Sequence, residues 1–202
     1  MKSKIIFAFI SFMLLFGINN SLLYNDLEKQ VSTAKVINLA GRQRMYSQKI
    51  TKLALYLNEE KEDNYSTLRL EGLKEIITNF SEAHQFLEES HLKQYKSLLL
   101  NQYFKDIEHS YLKIINSSRE YLNSPNDSQV KANFIKNIKF NESEFLRIMD
   151  DIVNEYEKIA ETRAIKIKGR EFTFNAIMVL LTIFSIFSII IPLLKNKNLN
   201  LK

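Results

Sequence analysis

A chain of 202 residues with 4 glycines, 2 prolines and no cysteine holds material for one domain and few helix breakers. Long helices are favoured over sheet, and disulfide frameworks and thiolate metal sites are excluded. The formal net charge of +5 sits at the tips (Lys2 and Lys4; Lys195, Lys197 and Lys202), and the remaining 23 basic residues equal the 23 acids in number. A neutral middle argues against nucleic acid as a partner, and basic tips are what the positive-inside rule expects of two membrane spans with both ends in the cytoplasm.

In chain order, the basic start is followed by the apolar run Ile5 to Ile18. The run resembles the h-region of a signal peptide, but Asn19 to Tyr24 lacks a small-x-small cleavage pattern. Continued through Leu22, Leu23 and Tyr24, it reaches about 20 residues, enough to cross a bilayer. Residues 1–24 are therefore read as an uncleaved N-terminal transmembrane anchor. No Gly or Pro separates Ile18 from Leu27, so the span is compatible with direct continuation into a first helix reaching about Leu57.

Asn58 to Ser66 is a polar break carrying the charge run Glu59, Glu60, Glu62 and Asp63, read as a solvated loop. A second helix follows, with Leu70, Leu73, Ile76, Ile77, Phe80, Ala83 and Leu87 at helical spacing. Charges around Glu88 to Lys93 predict the next turn. A third helix carries Tyr95, Leu98, Leu99, Tyr103, Ile107, Tyr111, Ile114 and Ile115, and the turn residues Asn123 to Ser128 end it. Asp127 or Ser128 is the expected cap of a fourth helix with Phe134, Ile138, Phe145, Ile148, Met149, Ile152 and Tyr156 on its apolar face. Phe172 to Leu194 reads as a second transmembrane helix, leaving Lys195 to Lys202 as a short cytoplasmic tail. The pattern predicts an all-α protein: an antiparallel four-helix bundle over residues 25–171, outside the inner membrane and flanked by two spans.

The first helix holds an unusual stretch. Ile37, Ala40, Gly41, Arg44 and Gln48 recur at spacings of three and four, which places them on one face. A mid-helix glycine is unfavourable by about 1 kcal/mol relative to alanine. No carboxylate occurs between Val31 and Asn58, so Arg44 has no acidic neighbour on its own helix. Two readings fit. In one, the helix meets its own copy across Gly41 and the paired Arg44 side chains hold a small planar anion. In the other, Arg44 is a solvated cation beside a packing glycine.

Ala40-Gly41-Arg42-Gln43-Arg44-Met45 followed by Ser47-Gln48 resembles the signature helix of the sensor domain shared by type IV pilus methyl-accepting chemotaxis transducers and nitrate/nitrite sensor kinases. The pilus-transducer version is the nearer of the two. The frame Ile37, Asn38, Ala40, Gly41, Arg44, Met45, Ser47 is similar to the nitrate-sensor form, which commonly carries a lysine where this chain has Leu39. The segment from Phe145 to Glu157 resembles the last helix of the same domain. The resemblance implies a homodimer in which Arg44 contacts nitrate or nitrite, with Ile37, Asn38, Gly41 and Met45 beside it, and a relay to a kinase or chemotaxis signalling region.

Elsewhere the chemistry is sparse. His84, His91 and His109 are expected as solvated histidines rather than metal ligands, with a turn between the first two. Asp150, Asp151 and Glu155 are expected to pair with Lys or Arg of the first helix, and Tyr95, Tyr103 and Tyr111 to pack in the core. No nucleophile motif, phosphate loop or paired catalytic acid occurs in the sequence, so no enzyme, cofactor or metal site is expected. The expected function is anion sensing, the output lying on a separate kinase or transducer. A truncated receptor and a ligand-independent structural subunit remain open.

Overall fold

The computed structural model of the chain describes residues 2–59, 66–95, 97–187 and 191. These residues form four helices, α1 (Lys2–Glu59), α2 (Ser66–Gln94), α3 (Leu98–Asn123) and α4 (Ser128–Ser185), and no strand is found among them. Glu60, Glu62, Asp63, the tail from Lys195 and the last part of the expected second span lie outside the described residues. The chain divides into two units, one of Thr33–Ile159 and one of Met1–Ser32 with Ala160–Lys202.

The unit of residues 33–159 is a bundle whose neighbouring helices run antiparallel. Gln43 of α1 meets Phe80 of α2 while Lys35 lies over the ring of Phe86. His91 of α2 meets Asn101 of α3, and farther along Ser81 meets Tyr111. Tyr121 stacks on Phe134 at one end of the α3–α4 pair, and Ser97 bonds Glu155 at the other. The core is filled by Leu73, Phe80, Leu87, Leu100, Ile107, Ile114, Phe134, Phe145, Ile152 and Tyr156, all fully or almost fully buried. Phe80 lies against both Tyr111 and Phe145, joining three helices through tilted aromatic contacts.

The expected turn around Glu88–Lys93 is displaced to Tyr95–Ser97. Glu89 and Lys93 sit one turn apart on the outer face and pair at 3.3 Å, which supports a helix instead of ending it. Ser90 and His91 point inward and are buried. Ser97 then caps α3 by accepting from the Leu100 N–H. Tyr95 lies in this turn and is not part of the third helix; its ring is buried edge-on to Tyr156, and its hydroxyl donates to Thr33 Oγ1 at 3.0 Å. At the α3–α4 turn the expected cap is present: Asp127 Oδ1 accepts from the N–H groups of Gln129 and Val130.

Two histidines expected in solvent are in the core. His84 and His91 occupy one unbroken helix and are 3% and 2% exposed. Their seven-residue spacing puts both on the inner face of α2. His84 stacks on Tyr111, and His91 lies near-parallel to Phe104 with Nε2 at 2.5 Å from Asn101 Oδ1. His109 alone is exposed.

In the unit of residues 1–32 and 160–202, the apolar side chains from Ile6 to Leu22 include many large ones that face outward. A helix apolar on all sides suits a lipid environment. Among the described residues α1 is the one helix long and apolar enough to cross a membrane. The expected second span is helical from 172 to 185, but its described part falls short of the roughly 20 residues a crossing needs. Where this unit turns polar, Arg170 pairs with Asp26 of α1 and with its neighbour Glu171, and Asn19 Nδ2 donates to Glu171 Oε2.

Candidate functional site

Between Thr33 and Leu57, α1 buries one stripe: Thr33, Val36, Ala40, Gln43, Ser47, Ile50, Ala54 and Leu57. The steps alternate three and four, the coiled-coil period that keeps a straight seam against neighbouring helices. This stripe corrects the expected face. Ala40 is fully buried, whereas Gly41, Arg44 and Gln48 are exposed and Ile37 is half-buried at the edge of the core. Successive helical residues are about 100° apart, so Ala40 and Gly41 cannot both face the core.

Two polar residues of the signature stretch hold the inner stripe. Gln43 Nε2 donates to the carbonyl of Phe80 at 2.7 Å, and Ser47 turns its hydroxyl back to the Arg44 carbonyl at 2.9 Å. Both donors are thereby satisfied inside, as burial of a polar group requires. Sequence reasoning placed neither in the core; the signal was their three- and four-residue spacing from Val36, Ala40 and Ile50.

The outer face of α1 carries a second run of alternating steps: Ala34, Asn38, Gly41, Met45, Gln48, Lys52 and Leu55, all exposed. At Gly41 an added Cβ would meet no atom within 4 Å, so packing within the protomer does not require glycine there. The structure thus gathers Asn38, Gly41 and Met45 on the outer stripe, sets Arg44 and Ile37 between it and the core, and withdraws Ala40.

Arg44 is not short of an anion. Its Nε lies 2.6 Å from Asp150 Oδ1 of α4, with each side chain a little under half exposed. The absence of acids along α1 concealed this partner, because α4 supplies it from more than a hundred positions away. Of the three α4 acids expected to pair with α1, Asp150 alone does so. Asp151 pairs with Arg147 on its own helix, and Glu155 accepts from Ser97 Oγ at 2.9 Å.

Comparison with curated proteins finds no match, and comparison with solved structures finds none either. A protein-family match does exist. It runs from residue 27 to residue 134, taking in Arg44 and its outer stripe and ending before Phe145 and Asp150. Because more than half of the chain matches, the protein belongs to the PilJ family, the N-terminal domain of type IV pili methyl-accepting chemotaxis transducers.

Proposed function

We propose that this transducer-related domain senses a small inorganic oxyanion, nitrate or nitrite, at a homodimer seam formed by the outer stripe of α1. The observation that carries the reading is the placement of Arg44 beside Gly41 on an exposed helix face. A glycine with open space above it allows a second backbone to come close, and a two-fold axis along that face brings each Arg44 toward its symmetry mate. The planar guanidinium fork matches a planar oxyanion. Arg44 retains solvent-exposed surface despite its contact with Asp150, so ligand can reach it.

The bundle would then stand outside the inner membrane, with the tips of the chain inside, in agreement with the lysines at both tips. Ligand moves α1 relative to α4, and both helices continue without a break into the second unit. A kinase or chemotaxis signalling region is the proposed recipient of that movement.

Calorimetric titration of the full-length chain in lipid nanodiscs with nitrate, nitrite, sulfate and chloride tests the reading. Binding of nitrate or nitrite should vanish in Arg44→Ala and weaken strongly in Arg44→Lys. Arg42→Ala should bind normally, because Arg42 sits about 200° around the helix from Arg44. Anion binding that survives loss of Arg44 would refute the assignment.

A second reading is favoured by the ion pair itself. Since Asp150 already neutralises Arg44, the pair also suits a ligand-independent interaction subunit in which Arg44 only ties α1 to α4. The same titration separates the two, for this subunit binds none of the four anions.

A further inference from the structure

Asp150 occupies the position that an anionic ligand of Arg44 needs. Its Oδ1 lies 2.6 Å from Arg44 Nε, but that oxygen is buried and receives no aligned hydrogen bond. Arg44 keeps exposed surface beyond this contact, through which a second acceptor can reach the guanidinium. A ligand anion at Arg44 would sit within a few ångströms of the Asp150 carboxylate, where like charges repel strongly in a partly desolvated setting. The carboxylate also cancels the repulsion that two bare guanidinium groups would feel across a two-fold axis, so an unliganded seam is close to neutral.

We infer that Asp150 is an internal competitor for Arg44: it occupies the cation when ligand is absent, sets the affinity for the anion, and is released when the anion binds. This inference rests on the oxyanion reading above. It adds that binding is an exchange of one anion for another, and that the exchange unties α1 from α4. Because the contact is the one ion pair between α1 and α4 among the described residues of the bundle, its release changes how those two helices are held.

The test is calorimetric titration of the full-length chain in lipid nanodiscs with sodium nitrate at constant ionic strength, comparing wild type with Asp150→Asn and Asp151→Asn. Asp150→Asn keeps the shape of the side chain and removes its charge. It should bind nitrate about two- to fivefold more tightly, the range set by a partly exposed ion pair. Asp151→Asn should match wild type, since Asp151 pairs within α4. Binding by Asp150→Asn when wild type shows none would also support the exchange. If wild type binds through Arg44 and Asp150→Asn binds equally or more weakly, Asp150 is no competitor and the inference fails while the oxyanion reading stands. If neither protein binds nitrate, both fall together.

Discussion

The imidazole of His84 lies flat against the phenol ring of Tyr111, with centroids 3.7 Å apart and planes inclined by 10°. Burial pushes the His84 pKa down to about 4 from 6.5, and the Glu108 carboxylate 3.9 Å from Nε2 does not offset it. The folded bundle therefore holds the ring neutral. Below pH 6.5 the unfolded chain takes up a proton that the folded chain refuses until about pH 4. Stability present above 6.5 is lost across that window, by on the order of 3 kcal/mol in full. Thermal melts of wild type and His84→Gln between pH 7 and pH 4.5 should show a shallower decline in the variant. Parallel declines would mean that carboxylates elsewhere cause the acid sensitivity.

Gly41 should separate protomer stability from association. Since a Cβ there meets nothing, Gly41→Ala should stabilise the protomer by about 0.5–1 kcal/mol through helix propensity alone. Gly41→Leu should leave the fold intact and weaken the dimer, while Gly41→Cys should cross-link to its own copy on oxidation. Full-strength association by Gly41→Leu in analytical ultracentrifugation would place the seam elsewhere.

Asp127 satisfies two orphan N–H groups at the start of α4. Its replacement by alanine should destabilise the protein by about 1 kcal/mol, and by asparagine much less, because the amide oxygen also caps. Urea unfolding of the two variants side by side measures the difference.

The proposed topology follows from the charge at the tips. A reporter fused after Lys202 should be active in the cytoplasm, and one inserted at Pro125 should be active outside. An exported reporter after Lys202 would overturn the two-span arrangement.

The turns and the core were legible to different degrees. Breaks marked by turn residues could be read directly: Asn123–Ser128 separates α3 from α4, with Asp127 as the cap. Leu73, Phe80, Ile107, Phe134 and Ile152 announced their burial by spacing alone. The turn near Tyr95 was misplaced because Glu88, Glu89 and Lys93 look like a loop in one dimension, yet Glu89 and Lys93 pair along an outer helix face in three. The inner face of α1 was misread for a related reason. Gln43 and Ser47 count as polar in any pattern, and only a partner carbonyl or their own helix makes them suitable for a core. The role of Asp150 depends on register between α1 and α4, which no local spacing encodes.

The inner stripe of α1 has a mechanical consequence. Five of its eight positions, Thr33, Ala40, Gln43, Ser47 and Ala54, are small or polar and alternate with the apolar Val36, Ile50 and Leu57, whereas α2, α3 and α4 interlock through Phe80, Phe104, Phe134, Phe145 and Tyr156. A stripe without buried aromatic rings resists axial sliding less than interdigitated rings do, since fewer close contacts must be broken and remade. Against that low friction stand three polar catches, Thr33 on Tyr95, Gln43 on Phe80 and Arg44 on Asp150. Each engages in one register and lapses when α1 moves by a fraction of a turn. The register of α1 in the bundle thus depends on a few directional polar contacts as much as on interlocked rings.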